Sequence, residues 1–328
     1  GLDVNWLLPQ NTKTVISCEI NADFLEGYFS ECTEKPMAVY ITSPDYLGGQ
    51  LDILSLSEIC HKYHTILCVD NAHGAYLKFL SPSHHPIDLG ADLCCDSAHK
   101  TLPSLTGGAY LHISKTAPDF FCENVKSAMS IFASTSPSYL ILQSLDRLNL
   151  YLTSGYSKKI SAYIKRIETA KLQLIEKGFV IVSNEPLKIT IATKSYGYLG
   201  TDFAEKLREN GVECEFCDND FVVLMLSVEN GDDIDKITEV ILNIKQLSPI
   251  TSTILTQSER IRKLTPKQVL FLPSEKVQVI KAKGRICASI NIACPPAVPI
   301  VSAGEIIDTA AIEQFLYYGI EYCDCVIE

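Results

Sequence analysis

The chain has 328 residues, 47% of them apolar, and a formal net charge of −11 at pH 7. Its length predicts about two domains, and its longest apolar runs, such as residues 221–228, are too short to span a membrane. An acidic chain without a basic block is a poor candidate for binding nucleic acid. The first residues lack the pattern of a signal peptide, and the 13 scattered cysteines indicate reduced thiols. We therefore expect a cytoplasmic protein.

The first half of the chain alternates short apolar runs with helical patterns. The patterns predict a helix at residues 54–63 and strands at residues 37–43, 65–70, 91–97 and 108–113. This rhythm is typical of an α/β fold with a mostly parallel sheet covered by helices. Parallel strands present functional side chains at their carboxyl ends, where Asp70, Asp96 and Ser97 are expected.

The second half has the pattern of a smaller α+β domain. Helices are predicted at residues 136–152, 158–177, 202–210 and 234–246, and Gly178 is a plausible C-cap. Strands are predicted at residues 179–183, 187–192, 212–216 and 221–228. Residues 247–262 are polar and are interpreted as a linker. We expect a large domain at 1–170 and a C-terminal domain at 171–328.

Lys100 lies in the stretch "CDSAHKTLPSLTGGAYLHI", between two segments that both read as buried strands. In an apolar setting, burial would favour its neutral amine, which condenses with aldehydes to a Schiff base. Ser97 and His99 could donate hydrogen bonds to a phosphate from the same turn. A surface-loop lysine explains the local pattern about equally well.

Asp70 ends the predicted strand "TILCVD", and "NAHGAY" follows it. A carboxylate at the end of a central strand can hold a pyridinium nitrogen in its protonated form. Taken alone, an aspartate that caps the next turn is the more common case. His73, also taken alone, favours simple packing.

Together, these segments resemble the Orn/Lys/Arg decarboxylase family of fold type I pyridoxal-phosphate-dependent enzymes. The resemblance rests on "VDNAHGAYLKF" and "GADLCCDSAHKTLPSLTGGAYLH". Further similar segments follow in the right order: "YITSPDYLGGQLDI", "STSPSYLILQSLD" and "GRICASINIACPPAVPIVSAGEII". The resemblance implies a fold type I large domain, a pyridoxal 5'-phosphate cofactor and decarboxylation of arginine, lysine or ornithine.

The resemblance also implies a role for individual residues. Lys100 would form the Schiff base with the cofactor, and Asp70 would pair with the pyridine nitrogen. Ala72 would pack on the ring, Ser97 and His99 would hold the phosphate, and Lys100 or His73 would return a proton to the substrate. Further cofactor contacts are expected from Ser43 and, across the interface of a homodimer or larger oligomer, from Ser134, Thr135 or Ser136.

Three departures from the family accompany this resemblance. The family usually has an acidic residue after the cofactor aspartate, where this chain has Asn71, and Ala297 replaces a glycine in the "PPAVP" element. The family's earlier segment, with a phosphate-binding turn and a histidine that stacks on the ring, has no counterpart before Val39. The large domain is therefore expected to be incomplete at its N-terminus.

The cysteines and histidines could also be interpreted as metal ligands, but their spacing gives this interpretation little support. Cys214, Cys217, Cys323 and Cys325 could supply four thiols, but the first two fall in a predicted strand without the glycine turn of a zinc knuckle. His61 and His64 lack a glutamate at metalloprotease spacing. His84 and His85 lie in a Ser/Pro loop and are expected to be exposed. We expect no metal.

Three functions stay open at this point. The chain is a decarboxylase of a basic amino acid, a non-catalytic remnant or partner that does not bind the cofactor by itself, or another fold type I enzyme such as an aminotransferase or lyase. Its acidic charge is compatible with a cationic small substrate. The sequence does not distinguish arginine, lysine and ornithine.

Overall fold

A computed structural model describes residues 3–8, 14, 16, 18–230, 233–251, 255, 260–289 and 298–327. Its first sheet has the strand order β1 (Ala38–Thr42), β2 (Ile66–Asp70), β3 (Leu93–Asp96) and β4 (Tyr110–Ile113). The pairs β1–β2 and β2–β3 are parallel, and β4 is antiparallel to β3. These are the four strands that the sequence predicts, within about three residues at each end.

Two helices cover one face of this sheet. They are α1 (Ala22–Glu31), which Asn21 caps, and α2 (Ile53–Lys62), which Asp52 caps. Their apolar side chains form one core with the alternating buried residues of β1 and β2, among them Val39, Leu67 and Val69. Burying each such side chain stabilises the fold by about 1.5–3 kcal/mol.

The residues that alternate with this core point to the other face of the sheet. Tyr40 and Cys95 are exposed there, and Asp70 is half-buried. Because Asp70 is in register with Thr42 of β1 and Cys95 of β3, the three residues share that face. The covered core therefore directs Asp70 away from α1 and α2.

A second, antiparallel sheet has the order β5 (Lys188–Ala192), β7 (Phe221–Met225) and β6 (Phe216–Cys217). It shares a core with three helices, α6 (Tyr156–Glu176), α7 (Gly200–Glu209) and α8 (Asp233–Leu242). Gly178 follows α6 with φ of 103°, a conformation that glycine adopts without strain. The predicted boundary at residue 170 lies within the continuous helix α6, so the domain limits remain a prediction.

Two predicted strands of this region are wrong. Residues 179–183 form only the bridge between Ile181 and Ile191, beside β5. In the run 212–216, the amide of Val212 instead donates to the carbonyl of Leu207 in the last turn of α7. Strand β6 begins only at Phe216. In the first run, Val180 and Val182 exchange backbone hydrogen bonds with β5, but the pairing is too short to form a strand. In the second run, helix α7 uses the backbone amide of Val212.

The remaining elements join and complete these two parts. Helix α3 (Ala98–Thr101) follows β3, and helices α4 (Asp119–Ser130) and α5 (Tyr139–Thr153) precede α6. The C-terminal part contains α9 (Pro266–Leu270), β8 (Ser274–Gln278), α10 (Thr309–Tyr317) and β9 (Tyr322–Val326). Strands β8 and β9 pair antiparallel over a core of their own. The second half thus has the α+β character that the sequence predicts.

Two sequence predictions fall partly or wholly beyond the described residues. Of the linker at 247–262, the structure describes residues 247–251, 255 and 260–262, and the segment 247–251 is irregular. The "PPA" part of the proline-rich element, which ends at Ala297, lies outside the described residues. Within the described parts of the chain, none of the helices combines the length and apolarity that crossing a membrane requires.

Candidate active site

Lys100 and His73 meet at the carboxyl ends of β2 and β3. Lys100 lies on α3, directly after β3, and is half-buried, whereas His73 follows the end of β2 and is buried. The Lys100 Nζ atom lies 3.3 Å from the His73 Nε2 atom. Two residues that the sequence assigns to catalysis are therefore within hydrogen-bond distance of each other.

The imidazole of His73 is held in its neutral form. Burial, followed by the positive charges of Lys188 and Lys100, lowers the pKa of His73 to about 2. The Nε2 atom can then accept a hydrogen bond from the Lys100 ammonium, which places the ring proton on Nδ1. Within the described structure, that buried Nδ1 has no hydrogen-bond partner. The neutral imidazole of His73 is thus a hydrogen-bond acceptor beside the Lys100 side chain.

Lys188 is a functional neighbour that the sequence analysis missed. It comes from β5 and is 1% exposed, and its Nζ atom donates to the backbone oxygen of Asp45 at 3.1 Å. Burial lowers the pKa of Lys188, while Glu185 and Asp45 oppose that shift. The only sequence signal was a lysine within the apolar run "LKITIA". Its charge reaches His73 from the second sheet.

Asp70 is the last residue of β2, as predicted. Its Oδ1 atom accepts from the backbone N–H of Ala72 at 3.0 Å, and its Oδ2 atom accepts from the Tyr40 hydroxyl at 3.2 Å. Burial and the Asp70 charge raise the pKa of Tyr40 to about 12, so this phenol stays a donor. Both carboxylate oxygens thus remain ready to accept from a further donor.

Three other predicted cofactor residues lie around these strand ends. Ser97 is the N-cap residue of α3, yet among the described residues its hydroxyl makes no capping hydrogen bond. The His99 Nδ1 atom lies 2.9 Å from the carbonyl oxygen of Gly108, to which it donates. His99 can therefore donate from Nε2 to a phosphate only as an imidazolium. The buried Ser43 Oγ atom accepts from the Leu51 amide at 3.0 Å.

Ser134 and Thr135 lie apart from this group, in the exposed segment between α4 and α5. The Ser134 Oγ atom accepts from the amide of Ser136 at 3.1 Å, a local contact. Their expected role, contact with a cofactor in a neighbouring subunit, stays a prediction.

A second cluster surrounds Asp96, and it corrects one prediction. His85 is buried, not exposed as expected, while His84 is exposed. The Asp96 Oδ2 atom lies 3.1 Å from the His85 Nε2 atom and 3.0 Å from the His112 Nε2 atom. A loop of Ser and Pro residues could not show that this histidine turns inward to a buried carboxylate.

The three side chains are close enough to hold a metal ion, but the protons argue against it. The His85 Nδ1 atom accepts from the amide of Ile87 at 3.3 Å, so the ring proton lies on Nε2. A histidine that binds a metal through Nε2 normally donates from Nδ1 instead. The cluster is therefore a set of hydrogen bonds to the Asp96 carboxylate.

Comparison with known protein families shows which family the chain belongs to. The sequence profile of the Orn/Lys/Arg decarboxylase major domain matches residues 6–190. The chain belongs to the Orn/Lys/Arg decarboxylase family. The match includes Asp70, His73 and Lys100, the residues on which the sequence resemblance rests.

Relatives with curated sequences support the family. The uncharacterized protein YaaO of Bacillus subtilis is 30% identical over 294 residues, which are 84% of this chain and 60% of YaaO. An arginine decarboxylase of the same organism is 28% identical over 310 residues, which are 86% of this chain and 62% of that protein. This family member thus spans about three fifths of the length of these two relatives.

Solved structures of lysine decarboxylases share the fold. The lysine decarboxylase LdcF of Francisella novicida superimposes with a TM-score of 0.69 and 14% identity, covering 94% of this chain and 60% of LdcF. This confirms the predicted fold, with its mostly parallel sheet and a smaller α+β part.

The Orn/Lys/Arg decarboxylase fold implies pyridoxal phosphate, and the residues at the strand ends fit that group. The half-buried Lys100 amine, which could take up the aldehyde, lies beside the Nε2 atom of His73, and the buried Nδ1 atom of the same ring has no partner among the described residues. The Asp70 carboxylate can accept from a ring nitrogen, and the Ser97 hydroxyl lies at a helix N-terminus.

Proposed function

We propose that the chain carries the cofactor lysine and the acid–base group of a pyridoxal-phosphate-dependent decarboxylase of a basic amino acid. The contact between Lys100 and His73 is the observation that supports this most, since it places a lysine side chain beside a neutral imidazole at the carboxyl ends of two parallel strands. Family membership favours decarboxylation over the aminotransferase and lyase alternatives. Arginine, lysine and ornithine remain equivalent candidates.

Each side chain would have a separate task. Pyridoxal phosphate, when bound, supplies an electron sink for the electron pair that carbon dioxide leaves behind. Lys100 would hold the cofactor through its amine, and Asp70 would keep the ring nitrogen protonated. Ala72 would pack against the ring, Ser97 and His99 would hold the phosphate, and Ser43 would contact cofactor or substrate. Lys100 or His73 would return a proton to the substrate carbon.

A non-catalytic remnant or partner is the second candidate. It is favoured by the exposed face of the first sheet, where Tyr40 and Cys95 lie beside Asp70. A cofactor bound there would be open to water, which weakens electrostatic contacts.

Incubation with pyridoxal phosphate separates the two candidates. We expect the purified protein to gain a visible chromophore and to release carbon dioxide from at least one of arginine, lysine and ornithine, with leucine as the matched apolar control. A chromophore without carbon dioxide would contradict decarboxylation by this chain. The absence of a chromophore would support the remnant.

We also propose that the chain forms homodimers or larger homo-oligomers through α4 and α5. In α4, whose residues the structure describes completely, none is buried. Phe132, just after α4, is 92% exposed, and Tyr139, at the start of α5, is 84% exposed. Exposed apolar surface of this kind typically marks a protein interface. A second copy is the occupant we propose, because the exposed Ser134 and Thr135 lie on the same surface.

Replacing Phe132 with aspartate is expected to weaken self-association at least about tenfold, since it places a charge in a desolvated contact. Sedimentation at several concentrations measures the effect, with Phe120→Asp as a second variant on the same surface. Exposed Leu172, on α6, provides the matched control as Leu172→Asp. A wild-type chain that stays monomeric at all concentrations would contradict the proposal.

The cysteines that the structure describes are free thiols. This supports a reducing compartment, and we propose a cytoplasmic location.

A further inference from the structure

Asn71 and Asp96 join the ends of the two central strands. Asn71 directly follows Asp70, and Asp96 is the last residue of β3, four positions before Lys100. The Asn71 Nδ2 atom donates to the Asp96 Oδ1 atom at 2.8 Å, and both residues are buried. The backbone of Asn71 also donates to the carbonyl of Cys95 at 2.9 Å.

The Asp96 carboxylate accepts only, and each of its oxygens is occupied. Oδ2 accepts from the Nε2 atoms of His85 and His112, and Oδ1 accepts from Asn71 and, at 3.5 Å, from the thiol of Cys94. Burial alone would raise the pKa of Asp96, but the hydrogen bonds from His112, His85 and Asn71 hold it well below its usual range. The buried charge is therefore stable only while its donors remain.

This arrangement explains why position 71 is not acidic here. A carboxylate at position 71 would face Asp96 at about the present hydrogen-bond distance of 2.8 Å, with two acceptors and no donor between them. The acidic residue that the family usually has after its cofactor aspartate would thus meet Asp96 without a donor, unless the two carboxyl groups shared a proton. An amide at one of the two positions supplies the donor without this protonation.

We propose that Asn71 and Asp96 form a positioning pair that fixes Asp70 relative to Lys100. The negative charge of the pair lies on Asp96 of β3, and the residue next to Asp70 is the neutral Asn71. Both residues are buried, so the pair acts through the two strand ends. Its role in positioning rests on the proposed function of Asp70 and Lys100, whereas the pairing itself does not.

The pair can be reversed by exchanging the two residues, which gives a sharp test. In the double variant Asn71→Asp/Asp96→Asn, the amide oxygen at position 96 can accept from both histidines, and its nitrogen can donate to the carboxylate at position 71. Each single variant breaks the pattern. Asn71→Asp places two carboxylates side by side. In Asp96→Asn, the amide nitrogen at position 96 faces either the Asn71 amide nitrogen or the two histidines, and all of these groups are donors.

In cofactor-free protein, we expect each single variant to lower the ratio of folded to unfolded chain by about tenfold or more. The double variant should recover part of this loss and exceed both single variants in stability; recovery stays incomplete because the carboxylate at position 71 has an oxygen where the buried Asn71 Oδ1 atom has no partner. Denaturant unfolding measures these ratios, and Asn243→Asp, at an exposed position, is the matched control. Additive losses in the double variant would overturn the pairing.

The pH profile of Asn71→Asp gives a second, independent reading. Two facing buried carboxylates share a proton, so their folded-state pKa rises above the unfolded value near 4. The folded state then binds the extra proton, and stability falls as pH rises above about 4. Wild type and the double variant should lack this slope. His85, His112 and Cys94 also face Asp96 and are common to all three proteins.

Positioning itself is read from the rate at which pyridoxal phosphate can be trapped on Lys100 by borohydride. The singles should be trapped more slowly and the double variant at nearly the wild-type rate; equal rates in all four proteins would overturn positioning. If wild type is not trapped at all, the proposed function fails, while the unfolding data still decide the pairing. If zinc stabilised wild type but not Asp96→Asn, Asp96 would belong to a metal site, and the proposed pair would be wrong.

Discussion

Lys100→Ala is expected to lose all covalent capture of pyridoxal phosphate. Alanine has no amine to attack the aldehyde, so the Schiff base cannot form at this position. After borohydride reduction, peptide mapping should find the cofactor mass on the peptide that contains residue 100 in wild type and on none in the variant. Any decarboxylation should fall by about 10³-fold or more, as on removal of the nucleophile in other enzymes.

Two companion variants make this result specific. Lys100→Arg retains the positive charge beside His73 but not the nucleophilic amine, so it should fail as alanine does. Lys115→Ala removes an exposed lysine that follows β4, at the opposite end of the sheet from Lys100, and should be labelled like wild type. Because Lys100 is only half-buried, its replacement should change the free energy of unfolding by about 1 kcal/mol or less. Reductive labelling of another lysine at the wild-type level in Lys100→Ala would remove Lys100 from the proposed chemistry.

The strands of the first sheet and the positions of Asp70 and Lys100 were predictable from sequence. Short apolar runs identified β1 to β3, and the rule that parallel strands end at one edge placed Asp70 there. The family motif then selected Lys100. These signals are local, so one stretch of chain carries each of them.

The charged and polar contacts around these strand ends were not predictable, because their partners come from segments that are distant in the sequence. His85 lies in a polar loop, and its burial is compensated by the hydrogen bond that its Nε2–H group donates to the carboxylate of Asp96 in β3. Lys188 lies in an apolar strand of the second sheet and reaches the carbonyl of Asp45, which follows β1. No periodicity in either segment encodes the partner. Both residues are buried polar groups, and these are satisfied by tertiary contacts.

Lys188→Met is expected to be the most destabilising of the single substitutions proposed here. Lys188 lies with the buried carboxylates of Glu185 and Asp45, and both lose their compensating charge in the variant. Removing one partner of a buried charged group costs about 3–5 kcal/mol, whereas methionine retains most of the aliphatic volume. Denaturant unfolding at neutral pH measures the loss, and Lys245→Met, at an exposed lysine, is the control.

The pH dependence of that loss separates charge from packing. Burial raises the pKa of Glu185 and of Asp45, and Lys188 lowers both values, so the variant raises them further. A carboxyl group whose folded pKa exceeds its unfolded pKa binds more protons in the folded state, and stability falls as pH rises through that window. The deficit of Lys188→Met should therefore be small near pH 4 and grow by at most about 1.4 kcal/mol per pH unit for each carboxyl above it. Adding Glu185→Gln should recover part of the loss at neutral pH. A deficit that is equal at all pH values would mean that Lys188 acts through its volume, and the electrostatic link between the second sheet and His73 would then have no support.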